Sequence, residues 1–236
     1  MAARPSSKGP VTIEMTDREP LNHERVVIAA VAFVDDYGLE ALSMRKLGAE
    51  LGVEAMSLYN HVANKDTLLD DVLDFVLREI ELPDRSLSWD SQLRVLAHAF
   101  RRAGLRHPGV LPLFGQRAIR SVEGFAPLER AYDILRSAGL DPDDALDAFI
   151  TASSYVLGFV QTELGGLRDV AEGRSIDFSM IDLGEHPRLV EMGVAFANRD
   201  GAREFEFGLD LIIQGVELRI AGYERHGIAQ EPSSTT

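Results

Sequence analysis

Residues Leu42 to Lys65, LSMRKLGAELGVEAMSLYNHVANK, constrain this chain more than any other stretch. Ser43 can cap a helix start, because its hydroxyl can accept an orphan backbone N–H. Met44 to Leu51 then reads as a short helix, with Leu47 and Leu51 four apart on one face. Gly52 can adopt a positive φ without a Cβ penalty, so it ends that helix and permits a sharp turn. Val53 plugs the angle, and Glu54 to Val62 reads as a second helix with Leu58 and Val62 inward. The outer side carries Ser57, Tyr59, Asn60 and His61, with no carboxylate after Glu54. Phosphates repel acids, and base edges want donors, acceptors and small apolar contacts, so this face suits a DNA major groove. Two short helices around a Gly turn also occur in ordinary helical proteins, so the surroundings matter.

Asn22 to Gly38 predicts an amphipathic helix, with Val26, Ala29, Ala30, Phe33 and Val34 at helical spacing. Asn64 caps a longer helix through about Glu81, with Leu68, Leu69, Val72, Leu73, Val76 and Leu77 inside. Together these make a three-helix head with a lever attached. Residues Leu21 to Leu77 resemble the DNA-binding domain of the TetR family of bacterial repressors. The matching segments are Ala41-Leu42-Ser43-Met44-Arg45-Lys46-Leu47, the Leu51-Gly52-Val53 turn, and Leu58-Tyr59-Asn60-His61-Val62 with Asn64-Lys65 and Leu68-Leu69. Ser88-Trp89-Asp90, Phe100-Arg101-Arg102-Ala103 and Phe207 to Ile213 resemble the C-terminal domain of that family's tetracycline repressors.

That resemblance implies an all-α protein: a helix-turn-helix DNA-binding domain followed by a helical ligand-binding and dimerisation domain. Residues 1–20 are expected to be a disordered tail, 21–66 the DNA-binding domain, 67–225 the body and 226–236 a flexible tail. The tail could be a basic arm through Arg4, Lys8 and Arg18, although interleaved acids favour a plain tail. Arg45 stands where a tetracycline repressor reaches its operator. Ser57 and Tyr59 match base- and backbone-contacting positions, and His61 and Lys65 match the phosphate side. Asn60 can make two bonds to adenine, or face phosphate or solvent. With Ser43, these residues form the expected DNA-facing set. For Tyr59 a core-edge position is the competing reading, and Lys46 reads as a solvated charge. Ala55 and Met56 depart from the tetracycline repressors' Gln-Pro pair, so the tetracycline operator is an unlikely target.

The net charge is −14, which at first argues against a nucleic-acid partner. Residues 1–65 hold seven Lys/Arg against nine Asp/Glu, a net of −2, leaving −12 for the rest. The acid therefore sits in the body, and few cations meet phosphate, so binding should fall steeply with salt. With no cysteine there is no disulfide or thiolate chemistry. The longest apolar run, Val26 to Val34, is too short to span a bilayer, so no membrane partner and a cytoplasmic location are expected.

Past Pro83 the pattern stays helical. Ser88 can cap a helix ending before Pro108, and Pro108 to Gly115 is a short apolar stretch with hinge-like composition. Arg117 to Ala138 predicts one helix, or two with a break near Gly124–Pro127. Asp141-Pro142 starts a helix running to about Leu164. Gly165 to Glu185 predicts a long connection, Pro187 starts a short helix, and Ala202 to Tyr223 is a final apolar one.

The Pro142–Leu164 helix is apolar on more than one face, which fits the centre of a bundle. The resemblance implies instead that it and the last helix pair with their symmetry mates. Phe149, Ala152, Val156, Leu209, Ile213 and Val216 are the expected dimer residues. A twofold dimer places its recognition helices about 34 Å apart and needs a palindromic operator. A ligand pocket is expected from His98, Phe100, Phe114, Gln116, Arg117, Tyr155, Phe159 and Glu163. Each aromatic here is individually more often plain core than pocket. His98 and His107 alone support a metal site weakly, so no metal and no cofactor are expected.

On alignment, a drug-binding Asn of the tetracycline repressors becomes Leu96 and their metal-binding His becomes Phe114; Phe100 is retained. An apolar or aromatic small-molecule inducer is therefore expected rather than tetracycline–magnesium. The expected function is a ligand-responsive repressor binding a palindromic operator as a homodimer, not an enzyme. The alternatives are a dimeric DNA-binding regulator without a small-molecule ligand, and a helical enzyme with a vestigial head. The chain carries no HExxH, GxSxG, Gly-rich phosphate loop or cysteine nucleophile.

Overall fold

A computed structural model describes residues 20–171, 186–197 and 200–226. Among the described residues there are nine α-helices and no strand. The head contains α1 (His23–Tyr37), α2 (Met44–Glu50) and α3 (Ala55–Leu58), followed by α4 (Lys65–Arg78). The body contains α5 (Trp89–Arg106), α6 (Val122–Ala138), α7 (Pro142–Ala171), α8 (Pro187–Ala197) and α9 (Gly201–His226). A short 3-10 turn at Leu111–Leu113 joins α5 to the segment before α6.

The head forms because local caps and apolar spacing agree. Asn22 accepts from Arg25 N at 2.8 Å, Ser43 from Lys46 N at 3.3 Å and Asn64 from Thr67 N at 2.8 Å. Each satisfies a donor that the first helical turn leaves orphaned. Gly52 has φ +68°, so it supplies the left-handed residue that ends α2. Val26, Val34, Leu47, Leu58 and Leu68 have no exposed surface and form one core. The second motif helix is shorter than its sequence pattern predicts. Only Ala55–Leu58 is regular α-helix, and turn hydrogen bonds carry it on, ending with Val62 N to Leu58 O at 3.0 Å. The extended backbone of the Asn64 cap, φ −166° and ψ 177°, forces the chain out of helix just beyond.

Helix α4 belongs to both halves of the protein. It packs against α1 on one side and α6 on the other, and a continuous core runs from Val26 through Leu73 to Ile134 and Leu135. In the body, α5 packs on α6 and α7, and α7 packs on α6 and α9. Several boundaries differ from the sequence expectation. Arg117 to Ser121 is not helical, because Asp70 and Asp74 of α4 hold it. Helix α6 runs unbroken through Pro127. The missing proline N–H leaves only the exposed Glu123 turn without its bond. Helix α7 continues to Ala171, past the expected end at Leu164. The rest of the expected connection, 172–185, lies outside the described residues, as do the N-terminal tail and 227–236.

Head and body also meet at a clasp where α5 ends. His107 donates from Nδ1 to Asp35 of α1 at 2.7 Å and from Nε2 to Glu79 after α4 at 3.0 Å. Two carboxylates on two ring nitrogens demand an imidazolium. Gly109 follows, with its N–H on Asp35 at 3.1 Å; a Cβ here would lie 2.1 Å from the Val34 carbonyl oxygen. Only glycine lets the two backbones approach so closely.

Burial pulls the His107 pKa down, but the bonds to Asp35 and Glu79 outweigh it and raise it above the ordinary 6.5. The clasp therefore contributes stability that is complete below about pH 6.5 and is lost as pH rises through the raised folded value. Urea unfolding from pH 6 upward should show this decline, and His107→Gln should flatten it while costing about 2 kcal/mol at pH 6. A decline that persists unchanged in the variant would place its origin elsewhere.

Candidate functional site

The outer face of α2, α3 and the turn after it presents a small set of polar groups. Arg45 and Lys46 are exposed on α2, and neither has an ion-pair partner among the described residues. Ser43 is half-buried and its hydroxyl accepts the Lys46 N–H to cap α2. Tyr59 is 44% exposed, which places it at the rim rather than in the core. Asn60 is exposed, while Ser57, His61 and Lys65 are half-buried on the same stretch. Met56 is 71% exposed beside them, an apolar group that the sequence reading passed over as a mere departure. A thymine methyl is the kind of contact such a side chain offers.

Cations in the body are used differently. Arg94 pairs with Glu206 and Asp210, Arg106 with Glu79, Arg120 with Asp70 and Arg219 with Asp144. The acidic body thus ties its positive charge internally, whereas the head turns Arg45 and Lys46 outward.

A cavity of about 290 Å³ lies in the body between α4, α5, α6, α7 and the segment before α6. Leu73 and Leu77 of α4, Leu96 and Phe100 of α5, and Leu128 and Leu135 of α6 form much of its wall. Phe114, Arg117 and Ile119 close it from the connecting segment, and Phe149, Ala152, Ser153 and Val156 from α7. Of the expected pocket residues, Phe100, Phe114 and Arg117 are therefore in the wall. Gln116 is exposed at the surface.

His98, Tyr155, Phe159 and Glu163 lie elsewhere, in a packed cluster between α5, α7 and α9. Phe205, fully buried, sits at its centre, with the His98, Tyr155 and Phe159 rings 5.0, 5.7 and 5.1 Å away. Arg101 stacks over Phe205 at 5.2 Å and grips Glu163 through two bonds of 2.9 and 2.6 Å. His98 bonds Glu206, and Tyr155 donates to the Phe205 carbonyl at 2.9 Å. Burial, then the Glu206 charge, keeps the Tyr155 phenol protonated above its ordinary range. These groups satisfy one another. Aromatic spacing in the sequence signalled burial but could not separate cluster from pocket.

Most of the expected dimer residues are buried within the single chain. Val156, Leu209, Ile213 and Val216 are at most 6% exposed within the protomer, and Phe149, Ala152 and Val156 line the cavity. The apolar groups left outward on the same two helices are Leu146 and Ile150 on α7, and Phe207, Leu211 and Leu218 on α9. Their spacing puts each set on one helix stripe.

Residues 27–72 match the family described as bacterial regulatory proteins, tetR family, and residues 82–220 match the tetracyclin repressor-like C-terminal domain. The chain belongs to the TetR family of transcriptional regulators. The repressor DrrR1 of Streptomyces coeruleorubidus is 32% identical over 92% of this chain and 83% of its own length. Among solved structures, Streptomyces coelicolor ActR in complex with actinorhodin superposes with a TM-score of 0.68 at 32% identity, covering 86% of this chain and 99% of its own. BioQ with its double-stranded DNA operator superposes with a TM-score of 0.61 at 30% identity, covering 84% and 98%. Among the described residues no helix is long and apolar enough to cross a membrane.

If the Phe205 cluster is structural, Tyr155→Phe should lower stability by about 1 kcal/mol, measured by urea denaturation. Binding of an aromatic probe in the cavity should stay unchanged. Weaker probe binding in the variant would return Tyr155 to the ligand site.

Proposed function

We propose that this chain is a homodimeric repressor that binds a palindromic operator and is released by an apolar or aromatic small molecule. The observation that carries this reading is the composition of the cavity wall. Leu73 and Leu77 belong to α4, the helix that starts directly after the DNA-facing turn at His61–Asn64. A ligand filling this space therefore contacts the lever itself. Its volume suits a small ligand, and its lining is hydrocarbon with few polar groups, as in ligand sites generally. The relative ActR, whose structure holds actinorhodin, supports a small-molecule occupant by analogy.

Arg45, Tyr59, Asn60, Ser57, His61, Lys65 and Met56 are the proposed DNA contacts. Ser43 contributes by fixing the start of α2. The proposed dimer face is the outward stripe of Leu146, Ile150, Phe207, Leu211 and Leu218. These large apolar groups are each at least 49% exposed in the protomer, a pattern typical of an interaction site.

Selection of genomic fragments by the purified protein, followed by mobility shift at two salt concentrations, tests the reading. A palindromic site bound more weakly at higher salt supports it, and no enriched site at low salt overturns it. Arg45→Ala and Tyr59→Ala should each reduce operator affinity about tenfold or more, with unfolding midpoints unchanged. Leu211→Glu with Leu218→Glu should give monomers by light scattering and lose operator binding. A double variant that remains dimeric would move the interface away from α9.

A further inference from the structure

The cavity has one cationic group in a wall that is otherwise nearly all hydrocarbon. Arg117 lines it, and Ser153 is the other polar side chain there. The Ser153 hydroxyl is engaged with the carbonyls of Phe149 at 2.8 Å and Ile150 at 3.1 Å. Arg117 instead points its guanidinium at α4, with Asp66 at 2.9 Å and Asp70 at 3.7 Å. Asp66 and Asp70 lie in the first two turns of α4, beside the Asn64 cap and the DNA-facing turn.

We propose that the inducer carries one anionic group, a carboxylate or phenolate, on its apolar body. This anion takes Arg117 from Asp66 and Asp70 and so removes one of the ties at the start of α4. The proposal rests on the ligand-responsive reading above.

The exchange is physically balanced. Asp66 is 80% exposed and is solvated when Arg117 leaves. Asp70 is buried, but Arg120 holds it independently at 2.7 Å, so no orphaned charge remains. A guanidinium and a carboxylate form a paired, charge-assisted contact, strengthened by the dry wall around it. Without Arg117, an anion would enter a hydrocarbon cavity uncompensated, at a large cost. A cationic ligand would meet Arg117 itself, and a neutral one would leave the tie to α4 intact.

The test compares 2-naphthoate with 2-naphthamide, two probes of equal shape, by titration calorimetry on the full chain. The acid should bind about tenfold more tightly than the amide, and Arg117→Gln should abolish the difference. Asp66→Asn, an exposed change that leaves the core untouched, should tighten the acid and leave the amide unaffected, because Arg117 loses a competitor. Equal binding of both probes, or an acid preference that survives Arg117→Gln, overturns the anion proposal while leaving a neutral inducer standing. Binding of neither probe removes both the anion proposal and the aromatic-inducer reading beneath it.

Discussion

Asp70 and Asp74 stand four apart on one face of α4, 5% and 7% exposed, and both are held by the segment that closes the cavity. Asp70 takes Arg120, and Asp74 takes the Ser121 hydroxyl at 2.6 Å and the Ser121 N–H at 3.1 Å. Ser121 in turn caps α6 by accepting from Gly124 N at 2.8 Å. Buried carboxylates need partners, because an uncompensated charge in the interior costs several kcal/mol, on the order of 3–5. The helix behind the DNA-facing turn therefore cannot shift while Arg117 to Ser121 stays in place. The two must move together or break a charge pair.

At the other end of α4 the constraint is the His107 clasp. Glu79 follows α4, Asp35 ends α1, and the imidazolium between them links both to the end of α5. Helix α4 is thus ionically tied near both ends, with apolar packing between. A body that repacks at either end has a mechanical route to the head. The charge distribution helps the head keep its role. Acids of α4, α7 and α9 pair with Arg78, Arg94, Arg101, Arg117, Arg120 and Arg219 of the body, while Arg45 and Lys46 stay outward. A net charge of −14 is then compatible with a DNA partner, since repulsion falls mostly on the distal body.

Much of the head was legible in the sequence because its determinants are local. Caps at Ser43 and Asn64 and the positive φ at Gly52 are properties of single residues and their immediate neighbours. The motif's second helix was overcalled, since Leu58 and Val62 spacing shows burial but not where a following cap will pull the chain out of helix. In the body the legible signal was which side chains are apolar, not which partner each meets. Helix α7 is apolar all round, so pattern alone does not say which partner Phe149 and Ala152 meet; in the single chain both line the cavity. The acids of α4 were passed over for the opposite reason. Asp70 and Asp74 acquire their role only when Arg120 and Ser121, about fifty residues away, are brought against them.

A ligand alters an equilibrium only through unequal affinity for its two states. The cavity meets this requirement in its construction, because its wall is shared between the lever (Leu73, Leu77) and the body (Phe100, Leu135, Val156). Any reorientation of α4 changes the wall, and so changes how well the same molecule fits. Reciprocity follows: if a ligand weakens operator binding, the operator weakens ligand binding by the same factor, typically about 5- to 150-fold. If the ligand also exchanges partners with the Arg117 ion pair, as proposed above, that factor depends on the chemistry of the ligand as well as its size.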